Sequence, residues 1–214
     1  IQASDYLKRK AKKQIFTRRD HSLTVKEFNL IADTDFKDEK LNLARDMFII
    51  AVLGGGFRTQ ELYTDHLYVQ DNRLNIYRQK TNERSINPIL LQLNDVIKRH
   101  DGFPEFLNVE DYRSGLKEIA KQIPLDRVIS IPDTKVNSEK GYKKVRIYEI
   151  FNAYFARKTC VTILNHYGLT EEEIIEFTCH ADTRTLKHYK GKMTIEDKER
   201  LMQSKLSIMI AKRP

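Results

Sequence analysis

The chain has 214 residues, 40% of them hydrophobic, which is enough for a sizeable core and too much for wholesale disorder. A net charge of +8 and a pI near 9.3 favour an anionic partner such as nucleic acid. Two cysteines, Cys160 and Cys179, make neither a disulfide framework nor zinc spacing and suit a reducing cytosol. The longest strongly apolar run, Met47 to Leu53, is far short of the ~20 residues a membrane span needs, so no membrane partner is expected.

Residues 1–21 concentrate the charge. Lys8, Arg9, Lys10, Lys12, Lys13, Arg18 and Arg19 stand against Asp5 and Asp20, which accounts for +5 of the +8. This stretch reads as a basic linker, or the remnant of a missing N-terminal DNA-binding domain. The opening Ile1 is consistent with a longer parent chain. The main domain is expected over 22–193. Thr24 and Glu27 form a capping box ahead of a stripe of Phe28, Ile31 and Ala32. A second helix over 41–53 is apolar nearly all round towards its end and should be central and buried. It stops at Gly54, Gly55 and Gly56.

A short helix around 59–64 follows. The period then changes to alternation over about 66–89, with turn residues Asp71, Asn72 and Asn82, which predicts a three-stranded antiparallel sheet. Helices resume at about 89–100 and 109–122, and 135–144 reads as an exposed loop. A long helix is predicted over 148–167, closed by Gly168, and Thr170 with Glu173 caps another through Phe177. Ile195, Leu201, Met202, Leu206 and Met209 give 194–214 an amphipathic helical face. The fold class is mainly α with a small three-stranded antiparallel β-sheet (α+β). Repeats and low-complexity tracts are lacking.

Four stretches carry candidate chemistry. In "LGGGFRTQEL", Arg58 emerges from a glycine turn with Glu61 one helical turn on. A phosphate-binding P-loop would end in G-K-[ST], which is missing, and a plain surface ion pair is the simpler reading. In "YRQKTNERS", Lys80 lies where a hairpin turns; the simpler reading is a solvated turn lysine. In "NAYFARKTCVT", Tyr154 and Arg157 share a helix face, with Phe151, Phe155 and Val161 on the packed side; an ordinary amphipathic helix would look the same. In "FTCHADTRTLKHYKG", His180, Asp182 and His188 lack metal-ligand spacing, so no metal is expected, and Tyr189 follows His180 by nine residues.

Each signal is weak by itself, but the order is specific. Arg58, Lys80, Tyr154-x-x-Arg157, His180 and Tyr189 fall in the register of the tyrosine recombinases, the phage-integrase family. The chain resembles their catalytic domain from about Leu23 to its end. "GGFRTQEL" resembles the family's T-G-x-R-x-x-E-L box, "QKT" its hairpin lysine, "YFARKT" its H-x-x-R-H/R-T, and "TCHADTRTLKHY" its T/L-G-H…Y segment. Two positions depart from the pattern: Tyr154 replaces the usual histidine, and Cys179 the usual glycine.

The resemblance implies the tyrosine recombinase catalytic-domain fold and a site-specific recombinase or mobile-element integrase that uses neither ATP nor a cofactor. Tyr189 would attack a DNA phosphodiester, leaving a 3′-phosphotyrosyl link and a free 5′-hydroxyl. Arg58 and Arg157 would bind the non-bridging oxygens, with Glu61 supporting Arg58. Lys80 would protonate the leaving 5′-oxygen, and His180 would donate a hydrogen bond to the phosphate. Tyr154, a phenol in place of an imidazole, would be a poor base near neutrality but a competent donor. The nucleophile's proton would go to water, the phosphate or His188. The implied partners are a duplex carrying a recombination site, further copies in a tetramer exchanging the 194–214 helix, and accessory DNA-bending proteins, in a prokaryotic cytoplasm. Two other readings share these residues: a type IB topoisomerase-like enzyme, and a catalytically impaired DNA-binding accessory protein of the same fold.

Overall fold

A computed structural model describes residues 21–64, 67–71, 73–78, 83–132, 142–180 and Leu186. Helix α1 (Val25–Ala32) opens as the sequence predicts. Thr24 Oγ1 accepts from the Glu27 amide, and Glu27 returns the bond to the Thr24 amide, satisfying two donors at the helix start. Phe28 and Ile31 are fully buried. Helix α2 (Glu39–Leu53) begins two residues earlier than predicted because Asp38 caps it. From Ala44 to Leu53 every residue of α2 is buried, so it forms the axis of the core.

Three later helices pack on or beside that axis: α4 (Leu91–Arg99), α5 (Val109–Gln122) and α7 (Phe155–His166). The predicted sheet is present as β1 (Tyr68–Gln70), β2 (Arg73–Arg78) and β3 (Glu83–Pro88), antiparallel in sequence order. The short helix α3 (Thr59–Leu62) links α2 to it. Strand β3 inverts the usual alternation. Ser85 and Asn87 point inward and Ile86 outward, at 52% exposure. No helix among the described residues is long and apolar enough to cross a membrane.

Two predictions need correction. Strand β4 (Val128–Pro132) pairs antiparallel with β5 (Tyr142–Arg146), so residues 142–144 belong to a strand rather than to the predicted loop. The signal was faint because β5 carries one inward apolar residue, Val145, among charged neighbours. The predicted helix over 148–167 is two helices, α6 (Ile147–Ile150) and α7. Phe151 turns extended (φ −61°, ψ 132°) and drops its ring into the core, edge-on to Phe48 at 5.1 Å and to Phe155 at 5.4 Å. Asn152 stabilises the break. Its side chain donates to the Ile150 carbonyl and accepts from the Tyr154 amide, an alternative to helix bonding that Asn offers readily.

Helix α7 ends at His166, with Gly168 beyond it at φ +87°. Helix α8 (Glu171–Thr178) starts from the predicted Thr170–Glu173 capping box. Three glutamates in its first turn complement the helix dipole. The basic segment 1–20 and the amphipathic stretch 194–214 lie outside the described residues.

Candidate active site

Arg157 leaves the first turn of α7 and is buried, at 6% exposure. Its Nη1 donates to the Gly56 carbonyl and its Nε to His180 Nε2, both at 3.1 Å. Neither contact neutralises the guanidinium; both orient it. The glycine turn that the sequence singled out is therefore a wall of this site. Gly56 sits at φ +68°, and a Cβ there would lie 3.1 Å from both the Arg157 Cα and the Cys160 Cβ. Only glycine satisfies both the backbone angle and the close approach of α7.

Arg58 follows the same turn and stands at the start of α3. Glu61 accepts the Arg58 amide at 2.7 Å and its Nη1 at 3.4 Å, as the spacing predicts. The Arg58 side chain keeps 32% exposure and Glu61 11%, so the carboxylate sits behind an arginine that can still meet an anion from solvent. The structure thus brings the turn bearing Arg58 against Arg157 and His180. Tyr154 precedes α7 at 82% exposure. The break at Asn152 puts it just outside the helix rather than on a helical face with Arg157.

His180 is reached through a strained residue. Cys179 ends α8 in the left-handed region, at φ 47° and ψ 51°. That accounts for glycine as the more comfortable choice there, since a side chain in this region costs about 1 kcal/mol. Cys179→Gly is expected to raise unfolding free energy by about 0.5–1 kcal/mol, read from the urea midpoint at unchanged slope. The strained turn folds His180 back, buried at 4% exposure, so that its Nδ1 lies 2.5 Å from Thr178 Oγ1.

Two residues that the sequence reading passed over help build the site. The Asn87 amide, reaching in from β3, donates to the Gly54 carbonyl at 2.8 Å and to the Phe177 carbonyl at 2.9 Å. It pins the glycine turn to the end of α8, and Ser85 donates to its Oδ1. The available signal was polar residues at inward positions of a strand. Thr178 is the other. A groove of about 750 Å³ between β3 and α8 reaches Cys179 and His180. Glu172, Glu173 and Glu176 line it, which makes it a poor cradle for an anion. Lys80 lies between the paired ends of β2 and β3, within residues 79–82, outside the described residues. His188 and Tyr189 also lie outside them.

No family model matches the sequence, and no curated protein matches it significantly. Solved structures do match in fold. The Tn1549 transposon integrase in complex with transposon right end DNA superposes with a TM-score of 0.58 at 16% identity, over 95% of this chain and 70% of that one. XerA recombinase gives 0.55 at 11% identity, over 86% and 64%. The XerH site-specific recombinase bound to palindromic difH substrate, in a post-cleavage complex, gives 0.54 at 15%, over 87% and 53%. The chain therefore spans between about half and 70% of the length of these structures. At such identities the likeness is one of fold, and on that evidence the chain has the catalytic-domain fold of the tyrosine recombinases.

Proposed function

We propose that the chain is the catalytic part of a site-specific DNA recombinase that cleaves and rejoins duplex DNA through a covalent 3′-phosphotyrosyl intermediate on Tyr189. The observation that carries this reading is the cluster of Arg157, His180 and the Arg58-bearing glycine turn, held together by the bonds from Arg157 to His180 and Gly56. A buried guanidinium bonded to the turn that carries a second, partly exposed arginine is suited to a phosphodiester. Planar forks meet its non-bridging oxygens bidentately, and fixed donors cost no reorganisation as charge develops.

The reaction balances without a cofactor. Tyr189 Oη forms a bond to phosphorus as the bond to the 5′-oxygen breaks. The Lys80 ammonium supplies the proton that the departing oxygen needs, and the phenol proton passes to water or to His188. Exposed Tyr154 donates a hydrogen bond to the phosphate in place of an imidazole. Religation reverses these steps with a different 5′-hydroxyl, and the phosphotyrosyl bond conserves the energy. Residues 1–21 act as a basic linker whose Lys8, Arg9, Lys10, Lys12, Lys13, Arg18 and Arg19 meet DNA phosphates, so binding weakens steeply with salt. Residues 194–214 dock on a neighbouring copy within a tetramer on DNA.

The test is a nicked, labelled suicide duplex carrying a site selected from random sequence, resolved on denaturing gels. A protein–DNA adduct is expected with the unaltered chain and none with Tyr189→Phe. Specific binding without any adduct would replace this reading with that of an accessory DNA-binding protein. Relaxation of supercoiled plasmid without paired sites would favour the topoisomerase-like one.

A further inference from the structure

We propose that Thr178 and His180 form a positioning relay for Arg157, in which His180 is neutral, carries its proton on Nδ1, and presents Nε2 as an acceptor to the guanidinium. Both ends of the relay have fixed polarity. Arg157 Nε can only donate, so the His180 Nε2 that it meets at 3.1 Å must accept. At the other end Thr178 Oγ1 lies 2.5 Å from the Ile174 carbonyl, one turn back along α8, which can only accept. The single hydroxyl proton is therefore spent on Ile174. The oxygen's remaining contact, 2.5 Å from His180 Nδ1, must receive a proton from the ring. One tautomer satisfies both ends. An imidazolium would set an Nε2–H against the Arg157 Nε–H.

The relay is sealed. Thr178 is fully buried, and His180 and Arg157 are nearly so. It depends on the left-handed Cys179 between its two members, which lets side chains two residues apart meet. In this arrangement Thr178 and His180 are positioning residues that act through Arg157, and His180 Nε2 can take the phosphate-donor role that the resemblance implies only after it leaves Arg157 and gains a proton. With Nε to His180 and Nη1 to Gly56, the plane of the guanidinium fork is set before any phosphate arrives. The catalytic consequence rests on the recombinase reading above; the tautomer does not.

Two measurements separate these. Imidazole ¹⁵N spectra of the labelled chain at neutral pH, with His180 assigned by loss of its signals in His180→Asn, are expected to show a protonated Nδ1 and an unprotonated Nε2. The opposite tautomer, or a doubly protonated ring, would overturn the relay whatever the enzyme does. In the suicide-substrate assay, Thr178→Val keeps the shape of the side chain and removes the acceptor. It is expected to slow single-turnover cleavage roughly 10- to 100-fold at unchanged DNA affinity, because a misaimed fork costs rate rather than binding. Thr178→Ser should restore the tautomer and most of the rate. A Thr178→Val protein with both the wild-type tautomer and the wild-type rate would refute the proposal. An unaltered chain that forms no adduct would instead overturn the functional reading, and the spectra would still decide the relay.

Discussion

Arg157→Lys is expected to slow strand cleavage by about 10²- to 10³-fold while changing DNA affinity only a few-fold, which is the cost of losing one preorganised donor at a developing charge. The substitution conserves charge, so long-range attraction to DNA survives. What it removes is the fork. A lysine ammonium is a point donor on a flexible stem and cannot engage His180 Nε2, the Gly56 carbonyl and a phosphate oxygen in one plane. Single-turnover rates on the suicide duplex, beside equilibrium binding at fixed salt, separate the two effects. Equal losses in binding and rate would mean that Arg157 serves general affinity. A rate close to wild type would remove it from the reacting phosphate altogether.

The largest expected effect on stability lies away from the site. Asp46, in the middle of α2, is 1% exposed and gathers two arginines and a histidine. Arg45 Nε lies 2.9 Å from it, Arg99 Nη1 2.6 Å and His100 Nε2 2.8 Å. Arg45 is itself buried and also donates to the Thr34 carbonyl and to Asp35. The network joins α2 to the end of α4 and to the loop after α1. Asp46→Ala would strand the buried Arg45 guanidinium and take the shared acceptor from Arg99 and His100, at a cost of about 3–5 kcal/mol. For a domain of this size that lowers the melting temperature by about 6–20 °C. Asp35→Asn, at a carboxylate that is 91% exposed, is expected to change stability by less than about 0.5 kcal/mol.

Acid should report the same carboxyl. Burial pushes its pKa up, but hydrogen bonds from Arg45, Arg99 and His100 outweigh that and hold it below its ordinary 3.8. A depressed folded value means that the carboxylate's contribution is complete above the ordinary value and is lost as pH falls through the folded one. Urea midpoints of the unaltered chain should therefore fall below about pH 4, and those of Asp46→Ala should fall less over the same range. Parallel pH curves for the two proteins would show that Asp46 is not the titrating group.

Local features were readable from the sequence, and tertiary ones were not. The capping boxes Thr24–Glu27 and Thr170–Glu173 need only three-residue spacing, and both formed as read. The turn-punctuated alternation gave the three-stranded sheet, and the apolar run gave the buried helix. Arg45 and Asp46 sit inside that run, and nothing local says that their partners Arg99 and His100 come from a helix some fifty residues on. The break at Asn152 escaped because helical periodicity continues through it; the pull comes from the pocket that Phe151 fills beside Phe48. At the site, the order of Arg58, Arg157 and His180 was visible along the chain. The Asn87 clamp and the Thr178 contact appear only when β3, the glycine turn and α8 meet. Cys179 was noticed as a departure from a glycine pattern, and its left-handed backbone supplies the physical reason.

The most direct test is to identify the residue that becomes attached to DNA. Covalent complex trapped on the suicide duplex would be digested with nuclease and trypsin, and the phosphonucleotide-bearing peptide read by mass spectrometry. The account predicts a label on the peptide holding His188 and Tyr189, with a 3′-phosphate link. A label on the peptide of exposed Tyr154, or a 5′-phosphate link, would contradict it.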